Sequence, residues 1–179
     1  GGASAGHVIL GVIHQDGLGV DPNPATARQH YRAAAEAGMT NAQVEYARML
    51  GEGEGGAKDE TEAAAWLKRA AEAGERDAAT RLARILASGV GVAKDDAAAL
   101  RWARRAADKG DAQAQLLLGT FYEDGIGTAK DTAAAARWYR KARDQGVKGA
   151  ATRLAALEKK PTSGAQSSTA ADEARAAAI

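Results

Sequence analysis

Apolar side chains fall at Ala42, Tyr46, Met49 and Leu50, in steps of four, three and one. On a helix those offsets share one face, so the spacing predicts a helix over 42–52. Gly53 and Gly55 follow, and glycine accepts the left-handed backbone needed beyond a helix C-terminus. A second apolar stripe, Ala63, Trp66, Leu67 and Ala70, starts after Asp59 and stops at Gly74. The Asp59 carboxylate can accept the free amide hydrogens of a first helical turn. The stretch therefore reads as two helices joined by a glycine turn.

The same pattern returns every 36 residues without insertion or deletion. The G-x-G stands at Gly17/Gly19, Gly53/Gly55, Gly89/Gly91 and Gly125/Gly127. Leu10, Tyr46, Leu82, Leu118 and Leu154 form one column, and Ala42, Ala78, Ala114 and Ala150 another. His30, Trp66, Trp102 and Trp138 form a third, and Ala34, Ala70, Ala106 and Ala142 a fourth. Gly38, Gly74, Gly110 and Gly146 close the rows. All eight aromatic residues fall in large-residue columns, so the tryptophans are expected to be buried between rows. Asp95 and Asp131 repeat the cap of Asp59; Asn23 takes that place in the first row, with Pro24 after it as a good first helical residue.

One such hairpin cannot bury its apolar face alone, whereas a stack of them can. The predicted fold is all-α: an α-solenoid of stacked antiparallel helix hairpins with a 36-residue period. The rows run approximately over 5–40, 41–76, 77–112 and 113–148, with a capping helix at 149–158, giving a repeat domain over 1–158. Residues 159–179 are expected to be a linker-like tail, extended over 161–169 from its Ser, Thr and Gly content, with a short helix possible over 170–179. The chain opens Gly-Gly-Ala-Ser, with neither methionine nor a signal peptide, and reads as an excised or processed fragment.

A G-x-G followed by a lysine could also cradle a phosphate. A phosphate loop, however, occurs once per nucleotide site and follows a strand. Four copies in register with no strand ahead read as turns, and Lys58, Lys94 and Lys130 as solvated loop residues. The absence of cysteine excludes disulfides and thiolate metal sites. A net charge of +1 points to neither nucleic acid nor an acidic ligand. No apolar run approaches the ~18 residues of a membrane span.

Three constellations carry candidate chemistry. His7 and His14 share a helix face and His30 lies on the partner helix, so three imidazoles could bind zinc. The plainer reading, polar aromatics at a terminal repeat, is preferred, and no metal or cofactor is assigned. Arg32, Lys68, Arg104 and Arg140, with Arg69, Arg105 and Lys141 beside them, make a basic stripe. Each of the first four has an acid four residues on (Glu36, Glu72, Asp108, Asp144), which reads as helix-surface pairing rather than a nucleic-acid site. No nucleophile–base pair stands out, so no catalytic residue is assigned and the chain is not expected to be an enzyme.

Leu118-Gly119-x-x-Tyr122-x-x-Gly125-x-Gly127, then Asp131, Ala135, Trp138-Tyr139-x-Lys141-Ala142 and Gln145-Gly146, resemble the Sel-1-like repeat, a relative of the tetratricopeptide repeats. The resemblance covers 5–158. It implies a right-handed superhelix serving as a bacterial scaffold or adaptor for protein partners, with no small-molecule substrate and no membrane insertion. Another role carried by the resemblance is an immunity or inhibitor protein that sequesters a secreted effector; a separate alternative is the docking arm of a larger protein whose catalytic domain is absent from this sequence. The sequence leaves the compartment unknown; the resemblance favours the bacterial periplasm or envelope over the cytoplasm. Without cysteine pairs the disulfide-stapled subgroup is disfavoured. The first row departs from the pattern, with His14 in place of the tyrosine and His30 in place of the tryptophan.

By the same resemblance the first helices line the concave side. Positions expected to point outward there are Val8/Val12, Val44/Arg48, Thr80/Arg84 and Leu116/Thr120, with Asn41, Asp77 and Gln113 one turn before. The partner is therefore expected on Asn41, Val44, Arg48, Asp77, Thr80, Arg84, Gln113, Leu116 and Thr120. Arg48 has Glu52 four residues on to neutralise it, whereas Arg84 has no acid at helical spacing and is free to meet a partner's carboxylate.

Overall fold

A computed structural model describes residues 2–159. The expected tail segments over 161–169 and 170–179 lie outside the described residues. Among these residues the chain is all-helical, in nine helices: α1 (Gly2–Asp16), α2 (Pro24–Glu36), α3 (Thr40–Glu52), α4 (Glu60–Glu72), α5 (Arg76–Ser88), α6 (Asp96–Asp108), α7 (Ala112–Asp124), α8 (Thr132–Asp144) and α9 (Ala150–Lys159). Each helix packs on the next, so hairpins α1–α2, α3–α4, α5–α6 and α7–α8 stack in chain order and α9 closes the end. α5 also touches α7 directly, which places first helices of successive rows side by side.

The turns explain the period. Gly53, Gly89 and Gly125 cap α3, α5 and α7 in the left-handed conformation, at φ 74°, 74° and 78°. The chain then returns through the backbone bonds Asp59 N–H to Leu50 O, Asp95 to Leu86 and Asp131 to Tyr122, each 2.9 Å. Asp59, Asp95 and Asp131 accept from Glu62, Ala98 and Ala134 N–H at 2.8 Å, and Asn23 from Thr26 at 3.0 Å. The second glycine of each motif has a different duty. A Cβ on Gly55, Gly91 or Gly127 would collide with the backbone of Pro24, Glu60 or Asp96, the first residue of the preceding row's second helix. The helix start of one row thus seats on the glycine turn of the next. Thr61 Oγ1 adds a hydrogen bond across that seam to Gly91 O, at 2.8 Å.

The alanine columns form the buried spine, which lets the helices approach closely. Tyr46, Leu82, Leu118 and Leu154 are buried as expected, but Leu10 is 40% exposed. No earlier row covers it among the described residues.

The tryptophan column also departs from expectation. Trp66 is buried, its indole N–H donating to Glu62 at 3.1 Å and its ring meeting Tyr46 edge-on at 5.7 Å. Ala98 and Ala134 replace Glu62 in the next rows, so that acceptor is missing there, and Trp102 and Trp138 are only half-buried. Part of each ring is covered from outside by the cation one turn on. Arg69 lies 4.5 Å from the Trp66 centroid, Arg105 5.2 Å from Trp102 and Lys141 4.3 Å from Trp138.

Helix-surface pairing holds in two rows of four. Arg32–Glu36 is 2.8 Å and Lys68–Glu72 is 4.0 Å. Arg104 instead donates to the Tyr122 hydroxyl, and Arg140 reaches Glu158 at 3.4 Å. The reason lies across the row boundary. The places equivalent to Tyr122 and Glu158 are Leu50 and Leu86 in the earlier rows, so Arg32 and Lys68 find no polar neighbour there and keep the acid on their own helix.

The three histidines cluster between α1 and α2, with His7 and His14 both against His30. His7 Nδ1 and His30 Nδ1 are 3.0 Å apart, and the His14 ring lies nearly parallel to His30 at 5.7 Å. Burial, then the neighbouring His7 and His14, push the His30 pKa down. A base with a depressed pKa takes up its proton more readily unfolded than folded. Stability from this group is therefore complete above the ordinary histidine value of about 6.5 and is lost as pH falls through the lower folded value. Thermal melts from pH 7.5 to 5 should show a steeper loss for the wild type than for His30→Trp, which restores the column residue. Equal slopes would show that the cluster does not bias folding.

Candidate functional site

The nine residues expected to hold a partner do not form one strip. Asn41, Val44 and Asp77 line a cleft of about 510 Å³ bounded by α1, α2, α3 and the start of α5. Arg48 and Arg84 line a second of about 270 Å³ between α3, α4 and α5. Leu116 and Thr120 line a third of about 330 Å³ between α7 and α9. Gln113 is exposed on the first turn of α7 and lines none of the three.

Two outward assignments are corrected. Thr80 is 3% exposed; its Oγ1 lies 3.1 Å from Arg76 O and 3.3 Å from Asp111 Oδ1, so the hydroxyl is spent on the α5–α7 seam. Val44 is buried too, although one side of it still forms cleft wall.

The two arginines differ as the spacing suggests. Arg48 is clamped by Glu52 and Glu54 at 2.6 Å and by Glu45 at 3.0 Å. Burial opposes its charge, but the hydrogen bonds to Glu54, Glu45 and Glu52 outweigh this and raise its pKa further. A cation held by three carboxylates has little left for a partner. Arg84 is exposed and has no ion pair among the described residues.

Four residues of the first cleft escape the sequence reading: Gln15, Tyr31, Glu45 and Glu75. Tyr31 had a visible signal, since it stands 108 residues, three periods, before Tyr139. Tyr139 donates its hydroxyl to Glu123 at 2.6 Å, and burial followed by that bond pushes its pKa up to about 12. Gln15 occupies the place of Glu123 in row one. Among the described residues no three metal-ligating side chains are arranged to hold an ion, and no helix is long and apolar enough to cross a membrane.

A sequence profile described as Sel1 repeat matches residues 4–39, 40–75, 76–111 and 112–147. The chain belongs to the Sel1 repeat family. Two solved structures resemble it. One is a Sel1 repeat protein from Oxalobacter formigenes, 34% identical, TM-score 0.81, over 85% of this chain and 61% of that one. The other is c5321, a protective antigen present in uropathogenic Escherichia coli strains and displaying the same repeat fold, 30% identical, TM-score 0.83, over 90% of this chain and 35% of that one. The chain thus spans less than two thirds of the length of either. No curated protein matches its sequence. Sel1 repeats are a non-catalytic fold that mediates protein–protein interaction.

Proposed function

We propose that this Sel1 repeat chain is a bacterial adaptor that holds a protein or peptide on the face built by its first helices. The supporting observation is that first helices contribute to three separate clefts, at Asn41/Val44/Asp77 in rows one to three, at Arg48/Arg84 in rows two and three and at Leu116/Thr120 between row four and α9. Neighbouring helices stand about 8–10 Å apart, a step that one extended or helical segment can follow. Both solved relatives come from bacteria, which supports the bacterial setting. Asn41, Asp77 and Gln113 supply polar contacts along the face, and Arg84 supplies an uncommitted guanidinium.

The test is a charge reversal on each side of the solenoid. A partner captured by the immobilised chain from bacterial extract is titrated against Arg84→Glu and Arg104→Glu. Arg84→Glu should weaken binding by about tenfold or more, because a sheltered charge-assisted bond is lost and a repulsion added. Its melting temperature should barely change, since the side chain is exposed. Arg104→Glu, on α6, should leave binding intact. Binding that is lost on the α6 change and kept on the α5 change would place the partner on the opposite face.

A further inference from the structure

The 510 Å³ cleft has a one-sided charge. Asp16, Glu45, Glu75 and Asp77 line it, and no lysine or arginine does. Glu45 is satisfied by Arg48 at 3.0 Å and Asp77 by Arg81 at 2.7 Å. Asp16 and Glu75 have no ion pair among the described residues. Below the acids the wall is apolar, made by Val8, Val12 and Val44.

A second observation is independent of the acids. Tyr31 is 3% exposed and its ring forms cleft wall, yet its hydroxyl makes no hydrogen bond among the described residues. The equivalent Tyr139 has Glu123 as acceptor. Gln15 replaces that glutamate beside Tyr31, and its Oε1 is buried without a partner. Buried polar atoms are nearly always paired, so the idle Gln15 Oε1 calls for an explanation, and the Tyr31 ring that lines the same wall carries a hydroxyl without the acceptor its equivalent has. Burial raises the Tyr31 pKa, with Glu45 and Asp16 adding to it, which places the hydroxyl in the field of the same carboxylates.

We propose that this cleft takes an arginine side chain of the partner, its stem on Val8, Val12 and Val44 and its guanidinium among Asp16, Glu75, Gln15 and the Tyr31 hydroxyl. The carboxylates of Asp16 and Glu75 and the idle Gln15 Oε1 are acceptors, and the Tyr31 hydroxyl can act as one. A guanidinium offers five donors and no acceptor. It meets carboxylates through two parallel bonds, and it is weakly hydrated enough to enter a half-enclosed site. Its alkyl stem covers apolar wall while the head stays with the acids. The inference rests on the scaffold reading and refines it. The cleft selects a basic residue, while Arg84, about two helical turns beyond Asp77 on α5, selects an acidic one, so the two together fix the direction in which a peptide lies.

The experiment uses the full chain and two nonapeptides, one alternating alanine with arginine and one alternating alanine with glutamate, followed by amide-resolved NMR. The arginine peptide should shift Val12, Tyr31, Val44 and Asp77. Asp16→Asn combined with Glu75→Gln should weaken it by about tenfold, and Tyr31→Phe by a few-fold, with the remaining spectrum unchanged as the check on folding. Undiminished binding by the double variant, or shifts confined to other helices, overturns the assignment. Glutamate peptide seated in this cleft as tightly would also overturn it while leaving the scaffold reading intact. A captured partner that is insensitive to Arg84→Glu, alongside arginine peptide bound in the cleft, would do the reverse.

Discussion

Gly127→Ala is expected to lower the melting temperature by about 6–12 °C, from a loss of about 3 kcal/mol. Two costs combine. Gly127 sits at φ 67°, where an L-residue pays about 1–2 kcal/mol. Its new Cβ would also press on the Asp96 carbonyl oxygen and lie 2.8 Å from the carbonyl carbon and 3.0 Å from Leu100 Cβ. Those atoms start α6, so relief means moving a helix, and forced overpacking costs about 1–3 kcal/mol more. Gly19 provides the control within the same chain. It has the same motif position and a similar φ of 79°, yet nothing lies within 4 Å of the added Cβ. Gly19→Ala should therefore cost only the backbone share, about 1–2 kcal/mol. Because solenoid rows are held by nearest-neighbour interfaces, Gly127→Ala should also loosen the coupling of row four and broaden the transition. Equal losses for both variants in calorimetry would show that the second glycine serves backbone conformation alone.

What the sequence made legible is what each row decides locally. Apolar spacing, the Asp caps and the left-handed glycines act within one hairpin, and recurrence at 36 residues multiplied the signal. What stayed hidden depends on which residue a neighbouring row presents. Arg104 has an acid four residues on, yet it turns to Tyr122, because that row alone among the first four offers a hydroxyl at the contact. Trp102 has the same letter as Trp66 but lacks a glutamate one turn earlier, and so sits higher. Thr80 looks outward on its own helix, but Asp111 of the next row consumes its hydroxyl. Leu10 belongs to a buried column whose cover is a preceding row. The acidic cleft was hidden for the same reason. Asp16, Glu45, Glu75 and Asp77 come from separate segments, and no pattern along one helix gathers them. Attention to arginines picked out Arg48, which the fold neutralises, and Arg84, which it leaves free.

Row-to-row variation also carries its own compensation, and this yields a second large effect. Gly119 faces Tyr139, and a Cβ there would lie 2.5 Å from Cε1 and 2.6 Å from Cδ1 of the ring. Gly11 faces Tyr31 in the same way, at 3.0 Å. The equivalent pairs in the middle rows are Ala47 with Leu67 and Ala83 with Ala103. Glycine thus occurs where the opposite residue is tyrosine, and alanine where it is smaller. Within a helix, glycine to alanine alone should gain about 1 kcal/mol from propensity. Gly119→Ala should instead destabilise by about 1–3 kcal/mol, because Tyr139 is fully buried and tethered to Glu123, and cannot swing aside. Tyr139→Leu alone should also cost about 2–4 kcal/mol, through lost packing and a glutamate left without its donor. Together they recreate the pair found in row two. The double variant should be more stable than the sum of the single losses by about 1–3 kcal/mol, read as the coupling term of a denaturant-unfolding cycle. Additive losses would show that the glycine answers to something other than the ring.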